Sequence, residues 1–380
     1  MKTKLIKGFC PSLNEPIKAE DGLLFRLRPY MDYLHCDKLV SLCNLSMKYG
    51  NGIMELTNRG SIQIRGIKKD NHKIFLSKIF KNKIVKKETF SNNTNIIINP
   101  LWELGDQNFE VYEKIIKLQK KLPNLPDKFG FIVDLGNKLS LKNISADIRV
   151  ESAPNKKILI RADGATKGKI VEKKNIGSFI LKLTNWFIDN RDKDIKRMSE
   201  LLLKKKIPHK WTIDKPIYSY NKFFPKNTKI GQILGIKLGR VDANILKKLI
   251  LKSRSPLIRF TPFKMILMEG VINIKDKNFI YKIDEPLLNI SACSGKNFCS
   301  SASIDSHMLA KSIKNPLKKK IHIAACKKNC GINKNTQIIL SGDNGFINIY
   351  DNLKKEIILK KISPDNILKK NFRDVQNYEL

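Results

Sequence analysis

The stretch Gly22-Leu23-Leu24-Phe25-Arg26-Leu27-Arg28 alternates apolar and polar residues as a half-buried strand does. In Asp37 to Tyr49 that follows, Leu39, Leu42, Cys43, Leu45 and Met47 recur at helical spacing up to the breaker Gly50-Asn51-Gly52. A second alternating stretch, Ile53 to Ile67, reads as one further strand. The same order returns at 230–271: Gly231-Gln232-Ile233-Leu234-Gly235-Ile236-Lys237-Leu238, a helix over Asp242 to Lys252, then Leu257-Ile258-Arg259-Phe260-Thr261-Pro262-Phe263-Lys264-Met265-Ile266-Leu267. Two α+β units of one plan in one chain predict an internal duplication, with two unrelated pieces of similar local pattern as the alternative.

Longer segments lie outside these units, at about 75–210 and 285–380. The first carries an amphipathic helix at Asn108 to Leu122, strands around Gly130 to Val133 and Ile158 to Ile160, and a helix at Gly177 to Asp189. Lys204 to Lys206 with Pro208 reads as an exposed basic linker. The 380 residues, 42% hydrophobic and 28% charged, exclude disordered and collagen-like classes. A formal charge of +38 points to a polyanionic partner, yet it comes from 61 Lys and only 12 Arg, with the Lys scattered along the whole chain. That is compositional bias rather than a phosphate-binding stripe. A basic nucleic-acid-binding protein, the alternative of another class, would need aromatics interleaved with basic residues on one platform, and none is visible. No apolar run reaches the ~18 residues of a membrane span, and Met1 to Leu13 lacks a signal-peptide core, so the expectation is a cytoplasmic protein with no membrane and no nucleic-acid partner.

Seven Cys, an odd number without an export signal, favour thiolate chemistry over a disulfide framework. Cys293-x5-Cys299 is followed, after 26 intervening residues, by Cys326-x3-Cys330. Four soft anionic ligands in two close pairs suit a 4Fe-4S cluster, in which each iron takes one thiolate. Zinc is the alternative, although its paired ligands usually stand closer in sequence. Cys10, Cys36 and Cys43 have no such spacing.

Ala292-Cys293-Ser294-Gly295-Lys296-Asn297-Phe298-Cys299 with Ala325-Cys326-Lys327-Lys328-Asn329-Cys330-Gly331 resembles the cluster motif of the sulfite and nitrite reductase superfamily. Lys7-Gly8-Phe9-Cys10-Pro11-Ser12-Leu13, Asp21 to Pro29, Glu55 to Gly66, Leu125 to Asp134 and Ala146-Asp147-Ile148-Arg149 further resemble the precorrin-3B synthases of that superfamily. The resemblance runs from residue 7 to about 345. It implies a duplicated α+β fold: a ferredoxin-like half-domain at 1–70, an α/β sulfite reductase-like domain at 71–210, a second half-domain at 211–280 and a 4Fe-4S cluster-binding domain at 281–380.

It also implies a reaction, the O2-dependent hydroxylation and γ-lactone formation that convert precorrin-3A to precorrin-3B in aerobic cobalamin synthesis. The metal ligands would be Cys293, Cys299, Cys326 and Cys330, and a mononuclear non-haem iron would be present besides. Among His35, His72, His209, His307 and His322 no ligand spacing identifies that iron's site. A siroheme-dependent sulfite or nitrite reductase is the alternative, in which Cys330 would bridge cluster and siroheme iron. Where those reductases carry a second Lys, two residues after Lys128, this chain has Gly130, and Asn95 to Leu101 lacks their further Arg; both departures favour the synthase.

A tetrapyrrole with several carboxylates needs directional cations beside an apolar floor. Thr57, Arg59 and Gln63, at i, i+2 and i+6 of one predicted strand, would share a face. With Arg28 and Lys128, which match cavity-lining positions of the reductases, they are the expected substrate-binding residues. Arg65 would share the face unless a bulge at Gly60 breaks the register. No G-x-G-x-x-G follows a strand, so NADH-derived electrons would come from a separate ferredoxin, flavodoxin or reductase, steered by surface Lys such as Lys327, Lys328 and Lys334.

Overall fold

The computed structural model describes residues 11–85, 95–313, 319–332 and 335–369; Cys10 and Lys334 lie outside them. The chain divides into two compact units. One takes in Pro29–Tyr33 and Val85–Phe223; the other takes in Pro11–Arg28, Leu34–Ile84 and the chain from Phe224 onward.

The first repeat is built from β1 (Ile17–Ala19), β2 (Gly22–Leu27), β3 (Tyr33–His35), α1 (Cys36–Tyr49), β4 (Ile53–Leu56), β5 (Ile62–Ile67) and α2 (His72–Lys81). Leu39, Leu42, Cys43 and Leu45 of α1 are buried, as their spacing requires. Ile53 to Ile67 is not one strand. It folds back as a hairpin in which Met54 pairs with Ile64, Glu55 with Gln63 and Leu56 with Ile62. The Thr57 hydroxyl accepts the N–H groups of Arg59 and Ser61 at 3.2 and 3.1 Å, and Gly60 takes φ +73°. A Cβ at Gly60 would also stand 3.2 Å from the Phe260 carbonyl oxygen, so both backbone and space ask for glycine. Thr57 and Arg59 therefore belong to a turn and Gln63 to the returning strand, which corrects the expectation of a shared strand face.

The unit holding 85–223 contains β6 (Asn95–Ile98), α3 (Gln107–Leu118), β7 (Gly130–Asp134), β8 (Ile148–Ser152), β9 (Ile158–Ala162), β10 (Lys169–Val171), α4 (Ile176–Asn190) and α5 (Met198–Leu201). Its sheet runs β10-β9-β8-β7-β6, with β6, β7 and β8 parallel and β9 and β10 antiparallel. Ile148, Val150 and Ile160 pack with Val111, Ile115, Phe179, Leu183 and Phe187 in one core. Arg149 and Glu151 alternate with them and bury ion pairs, Arg149 to Asp163 at 2.6 Å and Glu151 to Arg161 at 2.7 Å. Asp134, at the end of β7, accepts the Asn99 side-chain amide at 2.8 Å and the N–H groups of Ser140 and Leu141 at 3.1 and 2.6 Å. Burial pushes its carboxyl up to about 6.

The second repeat consists of β11 (Lys226–Asn227), β12 (Gly231–Ile236), β13 (Arg240–Asp242), α6 (Ala243–Ser253), β14 (Leu257–Phe260), β15 (Met265–Glu269) and β16 (Phe279–Ile280). The sheets run β1-β2-β5-β4-β13 and β11-β12-β15-β14-β3, so each repeat lends one short strand to the other's sheet. Matching hydrogen bonds start both helices, Cys36 N–H to the Pro256 carbonyl and Ala243 N–H to that of Gly52. The hairpin turns match too: the Thr261 hydroxyl accepts from Phe263 and Met265 as Thr57 does from Arg59 and Ser61. The duplication is real.

The last domain contains β17 (Ile290–Ala292), α7 (Ser306–Ser312), β18 (Ile321–Ala324), β19 (Ile338–Asp343), β20 (Phe346–Asp351), β21 (Glu356–Ile362) and α8 (Pro364–Lys369). Its sheet, β17-β18-β19-β20-β21, has three parallel strands followed by two antiparallel ones, the pattern of β6 to β10. The larger α/β domain is thus repeated as well. No helix among the described residues is long and apolar enough to cross a membrane.

Candidate functional site

Parallel strands leave their functional loops at their C-terminal ends. Cys293 follows β17 directly, and Cys326 stands two residues beyond β18. Cys293 anchors its loop by donating its N–H to the Ile323 carbonyl, and its sulfur accepts the Ala325 N–H at 3.0 Å. The Ser306 hydroxyl, at the start of α7, donates to the Cys293 carbonyl at 2.9 Å. Cys293, Cys299 and Cys326 are half-buried and Cys330 is exposed. Burial first, and then the sulfurs of Cys326, Cys293 and Cys299, push the Cys330 thiol up. The carbonyl oxygen of the Asn329 side chain, between Cys326 and Cys330, is buried without a partner.

The donor set is four soft thiols with an N–H already directed at one sulfur, and it fits an iron–sulfur cluster. Among the described residues no group of three or more His, Cys, Asp or Glu side chains, these cysteines included, is gathered closely enough to hold a metal ion as it stands, and the mononuclear iron implied by the resemblance is assigned no ligand. His322 is buried and donates from Nε2 to the Cys330 carbonyl at 3.0 Å, leaving Nδ1 to accept from the Ser291 hydroxyl at 2.8 Å. Burial, with the Lys264 charge adding to it, lowers its pKa to about 4, so the ring is a neutral brace at pH 7. His307 is likewise lowered to about 4 by burial and then by Arg240.

One face of the first repeat's sheet is turned toward this loop. Met54, Leu56, Ile62 and Ile64 point into the apolar core, so Glu55, Gln63 and Arg65 emerge on the opposite face. Arg26 pairs with Gln63, Gln63 with Glu55 and Glu55 with Arg240, a polar row across four strands. Arg65 is buried and binds Asp21 at 3.1 Å, Glu55 at 3.2 Å and the Phe298 carbonyl at 3.0 Å. Arg240 binds Glu55 at 2.6 Å and the Ser294 carbonyl at 3.0 Å. Burial alone would raise the Glu55 carboxyl; Arg65 and Arg240 outweigh it and hold the group below its ordinary value.

Of the substrate residues expected from sequence, Thr57, Arg59, Arg28 and Gln63 lie in the same unit as the cysteines. Arg28 donates to the Arg59 carbonyl. Asn58, their neighbour in the turn, donates to the Gly331 carbonyl at 3.3 Å, which brings the Arg59 turn to the Cys330 loop. Lys128 belongs to the other unit, where its carbonyl accepts from Arg197 at 2.7 Å. Lys327 is an exposed partner of Asp343 at 2.9 Å, and Lys328 donates to the Ser301 hydroxyl at 2.8 Å. Cys36 and Cys43 stand apart, their thiols pushed up to about 11 and about 12 by burial.

Sequence reasoning missed Arg240, Phe298, His322 and Lys264. Lys264 occupies the turn place of Gly60, at φ +57°, with its stem against Gly239; burial pulls its ammonium pKa down against the opposing charges of Glu55 and Cys293. Arginine scarcity was the available signal for Arg240. Phe298 stood in the cysteine motif without its role being legible, and nothing local marked the roles of His322 and Lys264.

Residues 16–79 match the nitrite/sulfite reductase ferredoxin-like half domain family. A precorrin-3B synthase of Sinorhizobium sp is 32% identical over 154 residues, covering 38% of this chain and 32% of that protein. The chain thus matches about a third of its curated relative's length. Among solved structures, the NirA protein of Mycobacterium tuberculosis superposes with a TM-score of 0.64 over 93% of this chain and 80% of that one, at 16% identity. The chain has the duplicated nitrite/sulfite reductase fold and resembles precorrin-3B synthase in sequence.

Proposed function

We propose that this chain, built on the nitrite/sulfite reductase fold, is a precorrin-3B synthase that converts precorrin-3A to precorrin-3B with O2 and electrons from a separate donor. The observation that supports this most is the joining of the Asn58–Arg59 turn to the loop of Cys330, which brings tetrapyrrole-binding chemistry beside redox chemistry. In this reading Cys293, Cys299, Cys326 and Cys330 hold a 4Fe-4S cluster, which supplies one-electron transfer when bound. Arg59 and Arg28 bind carboxylates of the macrocycle, and Gln63 donates from the neighbouring strand. Thr57 sets the turn, since its hydroxyl oxygen is occupied by backbone N–H groups. Lys128, which lies in the other unit, is given no part in this reading, and the Lys327 and Lys328 surface steers an acidic donor. One oxygen atom enters the product, and the other leaves as water with two electrons and two protons.

The test is to incubate the anaerobically purified, cluster-loaded protein with precorrin-3A, O2 and a reduced ferredoxin and NADH system. The expected product is heavier by one oxygen atom, labelled when 18O2 is used. The similarity of fold to the NirA protein keeps a siroheme-dependent sulfite or nitrite reductase as the second reading. Tightly bound siroheme with sulfite- or nitrite-dependent oxidation of a reduced dye would decide for it.

A further inference from the structure

The Cys293–Cys299 loop is held by groups that no ligand motif contains. Both oxygens of the Glu55 carboxylate are committed, Oε2 to Arg65 and Oε1 to Arg240. Each guanidinium then reaches one loop carbonyl: Arg240 that of Ser294, next after Cys293, and Arg65 that of Phe298, just before Cys299. The two guanidinium carbons lie 4.4 and 4.8 Å from the centre of the Phe298 ring, so one aromatic side chain receives both cations. Two like charges on one ring repel unless an anion lies between them, and Glu55 supplies it. The second repeat carries the same pair with its charges reversed, Arg259 in place of Glu55 and Glu269 in place of Arg65, joined at 2.7 Å. That pair leaves Glu269 30% exposed, whereas Arg65 is only 2% exposed. Arg65, unlike its counterpart Glu269, is thus sealed beneath the Cys293–Cys299 loop.

We propose that Glu55, Arg65, Arg240 and Phe298 form a clamp that shapes the Cys293–Cys299 arm before any cluster is present. They are positioning residues: they fix the main chain beside each thiol and touch neither substrate nor sulfur. The Cys326–Cys330 arm is held by single neutral bonds, from Ser341 to the Cys326 carbonyl at 3.4 Å, from His322 to the Cys330 carbonyl at 3.0 Å and from Asn58 to the Gly331 carbonyl at 3.3 Å. The clamp makes the Cys293–Cys299 arm the more firmly held of the two. This rests on the cluster reading above only for its consequence in the loaded protein.

The test uses the full chain as Glu55→Gln and as Phe298→Leu, the second keeping every charge paired while removing the ring. In the apoprotein, alkylation of each cysteine by a maleimide is followed by mass spectrometry. Both variants should react about tenfold or more faster at Cys293 and Cys299, and within about twofold of wild type at Cys326 and Cys330. In the loaded protein, iron release to a chelator should quicken by a similar factor, with a shifted cluster potential. Phe298→Tyr should restore both. Equal acceleration at all four thiols would mean general loosening and overturn the clamp, as would a folded Phe298→Leu protein with wild-type alkylation rates. If Glu55→Gln does not fold, Phe298→Leu decides alone. If wild type never takes up iron and sulfide, the cluster reading fails while the alkylation pattern still judges the clamp.

Discussion

The β6–β7 and β17–β18 strand pairs occupy equivalent places in two sheets of the same order, and their C-terminal ends are finished in opposite ways. Asn99 and Cys293 are equivalent: each follows its strand and donates its N–H to the neighbouring parallel strand, at Val133 and Ile323. In the first sheet the next position across is Asp134, whose carboxylate binds the Asn99 amide and two loop N–H groups, closing the edge with satisfied polar groups. In the second sheet that position is Ala324. The edge keeps thiols instead, and its loop is held from outside by the arginines of a half-domain sheet. A duplicated edge can spend its polar groups on its own loop or leave donors for a guest, and the two copies have divided these roles.

The sharpest way to break this comparison is at the thiols. Cys326→Ser should abolish cluster assembly, seen as loss of absorption near about 400 nm and of about four iron and four sulfide per chain. Cys36→Ser should leave both, because that thiol is held protonated by burial and lies outside the group. Stoichiometric zinc without sulfide in wild type would end the cluster reading.

The next largest effect is expected in the turn facing the thiol edge. Arg59→Ala removes a charge-assisted partner from a carboxylate in a cleft, a loss on the order of 2 to 5 kcal/mol. Titration with a tetrapyrrole polycarboxylate should show binding weakened roughly tenfold or more, with the cluster spectrum intact. Arg59→Lys should rescue partly, since a point charge cannot copy the planar fork. A stable, loaded Arg59→Ala protein with normal turnover would place the macrocycle elsewhere.

How far the sequence carried follows from where each interaction lies along the chain. The helices of both repeats and the pairing of Cys293 with Cys299 are local patterns, readable within a dozen residues. The hairpin at Thr57 to Gly60 hid because the alternation of Glu55, Thr57, Gln63 and Arg65 continues through the turn, so period alone could not reveal the reversal. Glu55 meets Arg240 across 185 residues, on a strand lent by the other repeat. No local signal specifies a strand exchange. Phe298 was visible as a motif residue, but its role depends on that exchange.

The sealed edge supplies the smallest effects. Asp134→Asn offers one carbonyl where three N–H donors stood around a carboxylate and turns a donor toward a donor, a cost of about 1 to 3 kcal/mol without effect on the cluster spectrum. The pH dependence of that cost tests whether Asp134 is buried as an acid. Its folded pKa of about 6 lies above the ordinary 3.8. Between those values the folded state keeps a proton the unfolded chain has released, so wild-type stability falls as pH rises through the window and levels off above about 6. Asparagine has no such proton. Asp147 is also raised to about 6 by burial, but it is present in both proteins and cancels in the difference. The deficit of Asp134→Asn measured by urea unfolding should therefore be greater at pH 5 than at pH 7, by about 1 kcal/mol. A deficit independent of pH would mean that Asp134 stays ionised in the fold, and the edge would then be sealed by a charge rather than by a protonatable lock.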